Sequence, residues 1–175
     1  MSWTDQLGNM LKQYTSGGAA AQPAPDVHAH FDQAVQAAPT SVIAEGLTAA
    51  FNSDKTPAFA QMLSTLFNNS SGDQKAGMIN QLLSSVAPGA LSQVLSGAGL
   101  AAILGAGKTQ LTPDQAQKLS PEAVQQLATH AQNSNPSIVE TVSSFYAQHP
   151  TLVKTLGGTV LSVALAKVAE RQRQG

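Results

Sequence analysis

Seven of the nine prolines in this 175-residue chain stand where a helix can begin, and their placement restricts the fold more than any other feature. Proline fixes φ and has no backbone N–H, so it suits the first turn of a helix and disrupts the interior. Thr56-Pro57, Thr112-Pro113, Ser120-Pro121 and Asn135-Pro136 each join a capping side chain to a proline at the first helical position. Ala38-Pro39, Ala87-Pro88 and His149-Pro150 repeat the signal without an efficient cap. The remaining two, Pro23 and Pro25, close the stretch Ser16-Gly17-Gly18-Ala19-Ala20-Ala21-Gln22-Pro23-Ala24-Pro25, whose composition is that of a flexible linker.

Between these marks the apolar residues recur with helical period. Phe59, Met62, Leu63, Leu66 and Phe67 make one stripe over 57–68, and Met78, Ile79, Leu82, Leu83 and Val86 make another over 73–86. Val124, Leu127, Ala128 and Ala131 form a thinner stripe over 121–132, followed by Ile138, Val139, Val142, Phe145 and Tyr146 over 136–148. Residues 150–173 form the most apolar helical segment, apolar around most of its circumference between 155 and 166, which predicts a central buried helix, broken or kinked at Gly157-Gly158. No alternating run is long enough to predict a strand. Starts at Pro121, Pro136 and Pro150 are evenly spaced, but the units do not match position by position, so a bundle is favoured over a repeat array.

Charge enters the argument through its scarcity. Asp, Glu, Lys and Arg make up 11% of the chain, with a net charge of −1, so the surface is one of amides and hydroxyls that gives little repulsion between copies. Lys and Arg are not clustered, as a nucleic-acid partner would require. The absence of cysteine excludes disulfides, thiolate metal sites and cysteine nucleophiles. Met1-Ser2-Trp3-Thr4-Asp5 lacks the basic and apolar regions of a secretory signal, so the cytoplasm is the expected location.

The candidate interaction site is an amphipathic helix over residues 2–14. Trp3, Leu7, Met10, Leu11 and Tyr14 share one face, and Asp5, Gln6, Asn9, Lys12 and Gln13 take the other. Such a helix can cover its own core, dock on a second copy or a partner, or lie on a membrane surface. A second candidate is 76–107, which carries no formal charge and ends in the glycine-rich apolar run 91–107. Its interruptions by Pro88, Gln93 and serines fit a spanning helix poorly and a buried hairpin with glycines at the turn better.

Other patterns lack the context their chemistry requires. Ala102–Thr109 matches a relaxed phosphate-loop pattern, but Thr112-Pro113 stops any helix begun at Lys108, and no acidic strand follows to hold magnesium. His28 and His30 diverge on a helix, and His130 and His149 are isolated, so no metal site is expected. The carboxylates are scattered, and several (Asp73, Asp114, Glu122) sit in first helical turns, where they complement the dipole. No Gly-x-Ser-x-Gly elbow occurs, so no catalytic residue, cofactor or small-molecule substrate is assigned.

Asp73-Gln74-Lys75-Ala76-Gly77-Met78-Ile79-Asn80-Gln81-Leu82-Leu83, the glycine-rich run after it, and Leu111-Thr112-Pro113-Asp114-Gln115 resemble the YidB-like family of small bacterial multihelical proteins. That family has no assigned activity, so the resemblance implies helices and a bacterial origin but no functional residues.

The resulting expectation is an all-α bundle of seven to eight short helices, with an amphipathic helix over 1–15, a linker over 16–26 and one bundle domain over 27–175. The expected function is non-enzymatic: interaction or self-assembly by helix docking through Trp3, Leu7, Met10, Leu11 and Tyr14, with a homo-oligomer or a protein as partner. A peripheral membrane role through that helix or through 91–107 is the alternative. A helix-turn-helix over 112–148 is a third reading, weakened by the missing Lys and Arg.

Overall fold

The computed structural model describes Asp5, Gly8, Asn9, Lys12 and residues 26–97, 99–104 and 110–174. Among these the fold is all-α, with no strand. Eleven α-helices follow Asp26: α1 (Val27–Ala37), α2 (Thr40–Phe51), α3 (Phe59–Asn68), α4 (Gly72–Ser85), α5 (Pro88–Gly97), α6 (Leu100–Leu104), α7 (Pro113–Ala116), α8 (Pro121–Ser134), α9 (Ile138–Ala147), α10 (Pro150–Val153) and α11 (Gly158–Gln174). The expected count of seven to eight is too low. Three of the extra helices, α6, α7 and α10, span five, four and four residues, too short to show a period in sequence. The linker expected over 16–26 lies outside the described residues, apart from Asp26. No helix among the described residues is long and apolar enough to cross a membrane.

The contacts group the chain into two compact units, one formed by residues 1–58 together with 143–175, the other by 59–142, with the boundary inside α9.

In the first unit α11 packs along α2 and α1. Phe31 and Ala34 of α1, Ile43, Leu47 and Ala50 of α2, and Val160, Leu161, Ala164, Leu165 and Val168 of α11 are buried. Gly46 permits the close approach of α2 to α11: a Cβ there would stand 2.8 Å from the Ala164 carbonyl oxygen and 3.1 Å from Val168 Cγ2. Two ion pairs join the early segment to the late one. Lys154 Nζ lies 2.9 Å from Asp32 Oδ1, and Arg171 Nε lies 2.9 Å from Glu45 Oε2. The break expected at Gly157-Gly158 is present. A 3-10 turn over Lys154–Leu156 ends at Gly157, whose φ of +98° is open to glycine at little cost, and α11 starts afresh at Gly158.

In the second unit α3 packs on α8, α4 on α7 and α8, and α5 on α6 and α8. The helix starts are well capped. Ser71 and Gln74 form a reciprocal capping box at α4, as do Thr112 and Gln115 at α7, and the Ser120 hydroxyl accepts from the Ala123 N–H at α8.

The two other polar cap-proline pairs act differently. Thr56 turns back to donate to the Ala50 and Ser53 carbonyls, so it satisfies the end of α2 rather than the start of α3. Asn135 Oδ1 accepts from the Ser137 N–H, which places Pro136 in a turn and delays α9 to Ile138.

Candidate functional site

Trp3, Leu7, Met10, Leu11 and Tyr14, the residues expected to dock, lie outside the described residues. Their described neighbours Asp5, Gly8, Asn9 and Lys12 are helical. Asp5, Asn9 and Lys12 are exposed, and the Lys12 ammonium donates to Asn9 Oδ1 at 3.2 Å. Positions 5, 9 and 12 follow i, i+4, i+7 and so share one helical face. This solvated face is the one the sequence pattern assigns to polar residues.

The described part of the uncharged region resolves into most of α4, then α5 and α6. The glycines do form the turn: Gly99 has a φ of +70° between the two short helices. The expectation that the hairpin is buried is corrected. Of α5's residues with described side chains, only Val94 is buried; Leu91 and Leu95 are half-buried, and Ser92, Gln93 and Ser96 are exposed. In α6, Leu100 and Leu104 are buried, Ile103 is half-buried, and Ala101 and Ala102 face solvent. Apolar composition suggested burial here, but among the described residues α5 packs mainly on α6 and α8, and most of its small side chains stay partly or fully exposed.

The segment that matches the phosphate-loop pattern is entered from helix α6, not from a strand, and the next helix, α7, has four residues. Neither element supplies the geometry that phosphate binding uses. Residues 105–109 themselves lie outside the described residues. Their flanks are held by contacts that sequence reasoning missed. Asn80 accepts from the Leu111 N–H at 2.7 Å and donates to its carbonyl at 3.2 Å, while Gln115 donates to the Ile103 carbonyl at 2.9 Å. An amide that fills both backbone groups of a residue 31 positions away leaves no local sequence pattern.

Helices α8 and α9 are joined by a short turn, as a helix-turn-helix would be. No Lys or Arg occurs between Lys118 and Lys154, so neither helix offers the Lys or Arg contacts that phosphate binding relies on. His28 and His130 are exposed, His30 is half-buried, and the His149 ring leans on Phe145 at 5.1 Å between centroids. Among the described residues no three His, Asp or Glu side chains gather to hold a metal ion. Among the described residues three serines are buried, Ser64, Ser143 and Ser162, and Ser162 Oγ has no hydrogen-bond partner there.

Fold and surface together define a two-unit all-α protein whose distinguishing surfaces are helical, neutral and partly apolar. Against protein-family models, curated protein sequences and solved structures, the chain gives no significant match.

Proposed function

We propose that this chain is a non-enzymatic cytoplasmic protein that self-assembles, or engages a protein partner, by docking the helix over residues 2–14. The observation that supports this reading is the exposure of Asp5, Asn9 and Lys12 on one helical face, while the sequence pattern gives the other face to Trp3, Leu7, Met10, Leu11 and Tyr14. Five such side chains at i, i+4, i+7, i+8 and i+11 make a helix-in-groove ligand. Each apolar side chain fully buried contributes about 1.5–3 kcal/mol, enough in sum to offset the cost of ordering a tethered helix.

The Gly, Ala and Pro segment that follows supplies reach. Ten residues of flexible chain have a root-mean-square span of about 18 Å and a fully extended limit of about 35 Å. A net charge of −1 adds little repulsion between copies. The resemblance to YidB-like proteins, which have no assigned activity, is compatible with this reading.

The test is the solution mass of the full chain and of a chain lacking residues 1–25, by light scattering after size exclusion. Self-assembly requires an oligomer that becomes monomeric on truncation. Two monomers of equal stability would exclude self-assembly through this helix and leave a foreign protein or a membrane surface as the partner.

A further inference from the structure

Helices α1 and α2 pack more extensively on α11 than on each other, so the core of the first unit closes only when the late segment lies against the early one. The seat for α11 is specific. A Cβ at Gly46 would come within 2.8 Å of the Ala164 carbonyl oxygen, so only glycine lets the two helices lie this close. Two turns along α11, Arg171 reaches Glu45 of α2 at 2.9 Å. Both contacts belong to α2 and α11 alone. They form equally well whether α11 comes from the same chain or from a second copy.

What returns α11 to its own chain is the turn before it. A single 3-10 turn, Lys154–Leu156, leads into Gly157 at φ +98° and ψ 170°. That torsion is essentially restricted to glycine. Lack of space is not the reason, since a Cβ at 157 would meet no atom within 4 Å. The fold-back of α11 therefore hangs on one backbone torsion, and it is lost when residue 157 relaxes to a negative φ. A short turn that opens in this way carries the following helix off its seat, and the only identical seat belongs to another copy. A net charge of −1 opposes that encounter little. We infer that α11 is exchangeable: two copies pair by opening at Gly157 and laying each α11 on the α1 and α2 seat of the other. This route to assembly uses nothing from residues 1–25 and goes beyond the docking reading above.

Charge reversal tests the exchange in the full chain. Glu45→Arg sets two cations against each other across the seat, and Arg171→Glu sets two anions, so each closed variant is repulsive. The two variants are unfolded together in urea and refolded. Exchange then lays the reversed α11 of one on the reversed α2 of the other and restores the native pair at the second seat. An exposed pair is worth little, but two seats turn from repulsive to attractive at once. Light scattering after size exclusion at low salt is expected to show severalfold more dimer in the mixture than in either variant refolded alone. The excess should disappear by about 0.5 M salt. Docking through the 2–14 helix involves neither position, so it contributes equally to all three samples and its failure leaves this readout intact. A mixture with no excess dimer would overturn the exchange. Gly157→Ala gives a second readout, because it disfavours the closed torsion without adding a clash. It is expected to raise the dimer fraction of the otherwise native chain severalfold, and a fraction no higher than that of the native chain would count against the hinge.

Discussion

Helices α3 and α5 belong to the same unit, have the same length and both pack against α8, yet they are buried to very different degrees. The difference is one of pattern and size. In α3, Phe59, Met62, Leu63, Leu66 and Phe67 form a wide stripe of large side chains, and all five are buried. In α5 the apolar residues include one alanine, two leucines and one valine, set among glycine and serine, so the face they form carries less bulk. A helix earns burial by presenting a broad, bulky face to a neighbour. Absence of charge alone leaves a surface that is tolerated in water and available to something else.

The largest effect that would break this comparison comes from truncating one leucine in each helix. Leu66 is fully buried, so Leu66→Ala should cost about 2–5 kcal/mol through lost transfer energy and the cavity left behind. Leu95→Ala, on the half-exposed flank, should cost under about 1 kcal/mol. Urea unfolding of both variants decides the matter, and equal losses would mean that α5 is already packed as firmly as α3.

Glycines sharpen the same contrast. At Gly46 an added methyl meets the Ala164 carbonyl oxygen at 2.8 Å, a backbone atom that cannot swing aside. Gly46→Ala should therefore destabilise by about 1–3 kcal/mol, despite alanine's better helix propensity. Gly89, in the first turn of α5, has no atom within 4 Å of the same added methyl. Gly89→Ala should be neutral or stabilising by a few tenths of a kcal/mol, because only the backbone entropy term remains. A thermal melt of each, read as a pair, would expose an error if Gly46→Ala proved the milder.

Legibility in sequence followed the length and breadth of each stripe. The helices with broad stripes, α3, α4, α8 and α9, are where periodicity predicts them, within a few residues at each end. Thr112 and Ser120 cap as their position before proline implies. Thr56 and Asn135 carry the same local signature, but their side chains bond to the preceding helix end and to a turn, a choice set by chain direction after the proline. In the segment 150–173 the break expected at Gly157-Gly158 is present, and the 3-10 turn Lys154–Leu156 with the positive φ of Gly157 separates α10 from α11. Of the candidate site, the polar face at Asp5, Asn9 and Lys12 could be read from register. Exposure of the α5 flank could not, because it depends on which neighbours the fold brings to it.

A polar contact offers the next test, of intermediate size. Asn80 bridges α4 to Leu111 with both halves of its amide. Asn80→Ala leaves a backbone donor and acceptor to find water, at a cost of about 1–2 kcal/mol. Hydrogen exchange at the Leu111 amide should quicken in step, and an unchanged rate would show that the contact does not hold this segment.

The smallest effect belongs to the ion pairs of the first unit. Arg171 and Glu45 meet at 2.9 Å, but their side chains are 50% and 41% exposed, so water and salt screen the pair. Arg171→Ala should cost no more than about 1 kcal/mol at low salt, and most of that should vanish by about 0.5 M salt, where the screening length falls below 5 Å. A larger or salt-independent loss would show that the aliphatic stem of Arg171 is packed against α2, so that part of its role is apolar. Either result separates two ways of joining the early and late segments of this unit. Close packing at Gly46 is insensitive to salt, whereas the ion pair, if it contributes at all, weakens with every increment of it.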